Sequence, residues 1–156
     1  MFIFHNYERR FYEIYEGGKC VKIVMIVLLL MCITSGCTRD EKLITSEQIK
    51  ESFETYDIPL TKPNGLSPEN VFLRTLHGVK PEIYTINKNQ LISFYVYSSS
   101  QETEKGLTEF EDKTAAALVV PYTKYQIANV LLFYVHEGFP KNERVEEIVE
   151  GLKITK

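Results

Sequence analysis

Apolar residues recur along the second half of the chain with two distinct periods. After Thr45-Ser46-Glu47-Gln48, the residues Ile49, Phe53 and Tyr56 fall at i, i+4 and i+7. That is the one-sided stripe of an amphipathic helix, and Thr45 with Gln48 has the spacing of a capping box at its start. Asp57-Ile58-Pro59 ends it, and Leu60 to Asn70, with Pro63, Asn64-Gly65 and Pro68, reads as an irregular loop. Val71 to Leu76 predicts a short strand or packed extended segment, and His77-Gly78 turns the chain.

The period then changes to two. Pro81–Ile86 and Leu91–Tyr97 are β-rich runs joined by the polar turn Asn87-Lys88-Asn89-Gln90, which predicts a hairpin. In the second run Ile92, Phe94 and Val96 share one face, and Leu91, Ser93, Tyr95 and Tyr97 the other. The Ile92 face is assigned to the core. Ser99 with Glu102 has capping-box spacing at the start of a second helix, which carries Thr103, Leu107, Phe110 and Thr114 on one side. Gly106 inside this helix costs ~1 kcal/mol relative to alanine, and close packing against the sheet is its simplest reason. A second hairpin is predicted from Ala116–Pro121 and Gln126–Val135, flanking Tyr122-Thr123-Lys124. Val130 to Val135 is apolar on both faces, as a covered central strand would be. The last helix is expected from about Lys141 to Lys153, with Val145, Ile148, Val149 and Leu152 on one stripe and Glu143, Glu146, Glu147 and Glu150 opposite. The order is α-ββα-ββα. It predicts an α+β domain over residues 45–156, in two layers, with a four-stranded antiparallel sheet carrying its helices on one face.

The N-terminal part has a different pattern. Lys22 precedes Ile23 to Ile33, an unbroken apolar run of eleven residues. At ~1.5 Å per residue such a helix covers about half of a ~30 Å hydrocarbon core, so it reads as the apolar region of a signal peptide and not as a membrane span. The run ends in Thr34-Ser35-Gly36-Cys37, and this stretch resembles a bacterial lipobox. The resemblance implies that Thr34, Ser35 and Gly36 are read by the lipoprotein signal peptidase. It also implies that the Cys37 thiol receives a diacylglycerol group and that Cys37 becomes the mature N-terminus. Ser35, Gly36 and Cys37 match the pattern, whereas Thr34 stands where leucine is commonest; Cys32 fits less well because bulky Met31 precedes it. A short buried helix with a chance cysteine is the plainer alternative. Residues 21–36 are thus the expected signal peptide, and residues 37–44 a lipidated cysteine with a polar tether.

Residues 1–20 sit oddly in front of such a signal, since Glu8, Glu13 and Glu16 are unusual in its charged region. The codons for Glu16-Gly17-Gly18 can spell a bacterial ribosome-binding sequence, and Val21 can be encoded by the alternative start GTG. These residues are expected to be an over-long start, with a genuine N-terminal extension as the other reading.

Composition narrows the function. The 156 residues carry a net charge of −3, without the basic excess of a nucleic-acid binder, and are too few for a two-lobed solute receptor. Three cysteines and three histidines without a CxxC leave little material for zinc. Once the signal is removed and Cys37 is lipidated, no thiol remains for a disulfide or a nucleophile. No GxSxG, HExxH, P-loop or GxGxxG is present, and no cofactor or metal is implied. His77 and His136 each lie near a glycine at an element end and read as exposed strand-end residues. The four glutamates of the last helix read as a solvated face, because hard cations need oxygen ligands converging from a bent backbone.

The tyrosines are the remaining candidates. If Tyr84, Tyr95 and Tyr97 line the sheet face away from the helices, they form an aromatic platform suited to a sugar ring or a protein partner. Ordinary β-propensity is the competing explanation. The mature part is similar in style to small lipoproteins of low-GC Gram-positive bacteria that have no assigned activity. The favoured expectation is a non-catalytic binding module at the extracytoplasmic face of the cell membrane. Its diacylglycerol anchor would hold it to the membrane, and its partner would be an envelope protein or a cell-wall glycan. The alternative is a small exported hydrolase using carboxylates such as Glu82 or Glu137, which would require two paired carboxylates with separated proton affinities.

Overall fold

The structure, a computed structural model, describes residues 41–87, 90–136 and 140–154. Helix α1 spans Ser46–Thr55 and begins with the expected capping box: the Thr45 hydroxyl accepts from Gln48 N–H, and Thr45 N–H donates to the Gln48 amide at 2.9 Å. Asp57, at φ 53°, turns the chain away after it. Strands β1 (Glu82–Asn87) and β2 (Gln90–Val96) form the first hairpin in antiparallel register, Tyr84 opposite Ile92. Helix α2 (Ser100–Thr114) follows, with the Ser99 hydroxyl accepting from Glu102 N–H. Strands β3 (Tyr122–Ile127) and β4 (Val130–Val135) make the second hairpin, and helix α3 (Glu143–Ile154) closes the domain. The sheet order is β1-β2-β4-β3, all antiparallel, so the two hairpins meet through their second strands. The α+β class and the α-ββα-ββα order stand as read from the sequence.

Three details differ. The second hairpin turns at Ala128-Asn129, not at Tyr122-Thr123-Lys124; residues 122–124 are in β3, and residues 116–121 lie outside the sheet. The Asn129 side chain holds the turn there: it is buried and makes three hydrogen bonds to backbone groups outside the hairpin. Its Oδ1 accepts from Ile44 N–H at 2.7 Å, and its Nδ2 donates to the carbonyls of Ile44 (3.1 Å) and Tyr97 (2.8 Å). Second, residues 41–44 are not a free tether. Ile44 is core, tied to Asn129, and the Glu41 carboxylate accepts from Ser100 N–H at 3.1 Å. Third, Val71–Leu73 is a 3-10 turn and joins no strand of the sheet.

The helices divide between the two faces of the sheet instead of sharing one. Ile92, Phe94, Leu132 and Tyr134 pack with Ile49 and Phe53 of α1 and with Val145, Ile148, Val149 and Leu152 of α3. On the other face Leu91, Tyr95, Leu131 and Phe133 pack with Phe110 of α2 and with Phe72 and Leu76. Rings of Phe72, Phe110, Tyr122 and Phe133 interlock there, the Phe110 and Phe133 centroids 4.3 Å apart. This second cover explains why β4 is apolar at every position: all six of its residues are buried.

Candidate functional site

The tyrosines expected to form one platform are separated by the sheet. Tyr84 belongs to the face under α1 and α3, stacked at 6.0 Å on Phe94. Tyr95 and Tyr97 point to the other face, stacked on each other at 6.3 Å, and are 0% and 4% exposed. The Tyr95 hydroxyl donates to the Arg74 carbonyl at 2.8 Å, and that of Tyr97 to the Leu76 carbonyl at 3.3 Å. Burial pushes the Tyr97 phenol up to about 12 and Tyr95 higher still. These rings anchor residues 72–76 over the sheet and are core. The alternation in β2 is as expected, but the face opposite Ile92 is not open: α2 and the 71–76 segment cover it.

Where α2 meets Tyr97, glycine is required. A β-carbon on Gly106 would overlap the Tyr97 hydroxyl oxygen, so the helix comes down on the sheet at that point as its glycine implied. The turn that Tyr97 holds is also tight. Leu76 and Val79 exchange backbone hydrogen bonds of 2.9 and 3.0 Å around His77 and Gly78, both at positive φ. His77 is then clamped to α2: its backbone N–H donates to the Glu109 carboxylate, and its Nε2 lies 2.8 Å from Glu102. Lys105 and His77 hold the Glu102 carboxyl below its usual range, and Lys113 with the His77 backbone does the same for Glu109. His77 is exposed, as expected, and in addition partnered on α2.

Glu82 lies at the start of the edge strand β1, against the first turns of α1. Its carboxylate accepts from the Ser46 hydroxyl, from Tyr84 Oη at 2.8 Å and from Lys50 Nζ at 3.3 Å. Partial burial pushes its proton affinity up, but the three donors outweigh burial and hold the carboxyl below the ordinary range. The same pair keeps Lys50 protonated, Glu82 offsetting the cost of desolvation. Lys62 sits 4.1 Å over the Tyr84 ring. Such a carboxylate is ionised at neutral pH and has no proton to give as a general acid. A second carboxylate, Glu47, joins through Lys50 at 3.8 Å but is 80% exposed, so the two share no desolvated site with separated affinities. The cluster ties α1 to β1.

The remaining candidates fall as follows. Glu143, Glu146, Glu147 and Glu150 all lie on the exposed side of α3, with Glu146 paired to Lys141 (3.0 Å) and Glu150 to Lys153 (2.6 Å). The His136 ring lies 5.2 Å from that of Tyr134. Among the described residues, no group of three or more His, Cys, Asp or Glu is placed to hold a metal ion. Glu137 and the lipobox residues Thr34, Ser35, Gly36 and Cys37 lie outside the described residues.

Two features escaped the sequence reading. The run Gln126–Val135 predicts a strand through Asn129, although a lone asparagine in an apolar run is itself a turn signal. The segment after α2 leaves Ala116, Ala117 and Leu118 exposed, Leu118 completely, where the run Ala116–Pro121 predicts a strand. No protein-family model matches the chain, and no curated protein or solved structure is similar to it at a significant level.

Proposed function

We propose that this protein is a lipoprotein anchored at the extracytoplasmic face of the cell membrane, where its α+β domain serves as a non-catalytic interaction module. The observation that carries the reading is the sequence from Lys22 to Cys37: a charge, a short apolar run and Thr34-Ser35-Gly36-Cys37. Its position supports the reading too, because the folded unit begins at Glu41, directly after the proposed lipidation site. The donors around Glu82 argue for the non-catalytic role, since they hold the carboxylate ionised and occupied. The partner is an envelope protein or a cell-wall glycan. It is not received on the tyrosines, which the fold uses as core.

The test is metabolic labelling with a fatty acid in a bacterial host that processes lipoprotein signals. Wild type takes the label and sediments with membranes, and Cys37→Ala takes none and is released or mislocalised. Equal labelling of Cys37→Ala would remove the lipoprotein reading.

A further inference from the structure

The docking of residues 41–44 limits how an anchored domain sits on its membrane. From Cys37 to Glu41 there are four Cα–Cα steps of at most 3.8 Å, a reach of about 15 Å. Glu41 is already held by Ser100 N–H at the start of α2, and Ile44 is held by Asn129 in the β3–β4 turn. A bilayer's headgroup layer is itself roughly 5–8 Å deep on each side. After crossing it, the chain has about 7–10 Å left before the first fixed point of the fold.

We infer that the end of the domain bearing residues 41–44 rests on the phospholipid headgroups of the bilayer that holds the anchor, and that the Ala115–Leu118 loop points away from it. The inference rests on the lipid-anchor reading above and adds an orientation to it. The side chains at this end suit an interface. Leu43 is 45% exposed beside Lys42, and both border a cavity of about 230 Å³ between residues 42–44, α1 and Leu152. Ile154, two residues beyond Leu152 at the end of α3, is 74% exposed. Isolated apolar side chains with a lysine stem at the boundary suit a headgroup layer that offers both apolar and polar partners.

The opposite end follows from the register. The Ile127–Val130 end of the second hairpin lies by the docked strap, while Tyr122 pairs with Val135 at the other end of the sheet. Helix α2 starts at Ser100 beside Glu41 and runs 15 residues, about 22 Å, before the chain enters the loop that carries Leu118. The net charge of −3 supplies no attraction to anionic headgroups, so tether length and not charge holds the pose.

The test uses the full chain in membranes of the processing host. L43C, I154C and L118C each receive an environment-sensitive fluorophore, and lipids with spin-labelled headgroups are added as quencher. Fatty-acid incorporation is measured on the same membranes. The expected result is quenching at L43C and I154C at least about twofold stronger than at L118C, given the ~22 Å of α2 between the two ends. Equal quenching at all three positions, or stronger quenching at L118C, with fatty acid incorporated, would overturn the orientation and leave the anchor standing. Absence of fatty acid would overturn the anchor and the orientation with it.

Discussion

Replacing Asn129 with alanine removes the side chain that hydrogen-bonds the start of the domain to the β3–β4 turn. The wild-type amide is 1% exposed and makes three hydrogen bonds, two to Ile44 and one to Tyr97. Each such bond contributes roughly 0.5–1.5 kcal/mol net, and a buried group deprived of its partner costs roughly 1–3 kcal/mol. Water admitted at the end of the sheet will recover part of that loss, so a total of about 3–4 kcal/mol is expected. At about 4 °C or more per kcal/mol for a domain of this size, the Tm falls by roughly 12–20 °C. Urea unfolding followed by tyrosine fluorescence measures the loss, and amide exchange at Ile44 locates it. Asn129→Asp is a sharper second perturbation. It keeps an acceptor for Ile44 N–H but turns the donor into a carboxylate oxygen facing two carbonyls, so it should cost at least as much as alanine. A loss below about 1 kcal/mol for Asn129→Ala, with Ile44 still protected from exchange, would refute the view that this amide closes the fold.

Three other outcomes are expected. Gly106→Ala gains ~1 kcal/mol of helix propensity but collides with Tyr97, for a net loss of about 1–3 kcal/mol. Tyr97→Phe in the same chain should restore part of it, a coupling that a double-mutant cycle in urea would read. Phe94→Ala and Tyr95→Ala should each cost about 3–5 kcal/mol by the same assay, because their side chains are 1% and 0% exposed on opposite faces of β2. An intact domain for Tyr95→Ala would restore the open tyrosine face. At high pH the unfolded chain releases phenolic protons near the ordinary value of 10.0, whereas burial lets Tyr97 keep its proton up to about 12. Between those values folded Tyr97 holds a proton that the unfolded chain has lost, so its contribution to stability is complete below pH 10 and falls by up to ~1.4 kcal/mol per pH unit above it, while the raised phenols of Tyr84, Tyr95 and Tyr134 add to the decline. Tyr97→Phe should flatten that decline in urea midpoints taken across the range.

Local chemistry was legible wherever one short stretch decided the outcome. The Thr45–Gln48 box, the Ser99 cap, the first hairpin and the stripe Val145-Ile148-Val149-Leu152 each depend on residues within a few positions of one another. What was not legible depended on distant partners. Asn129 declares itself a turn residue only once Ile44, 85 positions earlier, is seen to bond to it. Tyr95 looks like surface until Phe72 and Phe110 arrive from two other segments to cover it. His77 is exposed, as its place beside Gly78 suggests, but its partners Glu102 and Glu109 come from α2, 25 and 32 positions later. The chemistry of Glu82 is set by Ser46 and Lys50 from α1, which period and spacing could not place beside it.

The strap from Glu41 to Ile44 also has a mechanical meaning. A pull applied at its start enters the fold through the Glu41–Ser100 and Ile44–Asn129 bonds. Asn129 adjoins β4, whose six residues are paired to β2 on one side and β3 on the other. Tension is thus delivered to the β3–β4 turn, and the two ladders of β4, one of them to the edge strand β3, share it. The edge strand β1, which could be peeled away one bond at a time, is spared. A domain loaded this way yields first at its strap, and Asn129→Ala is the change that would lower the force at which it does.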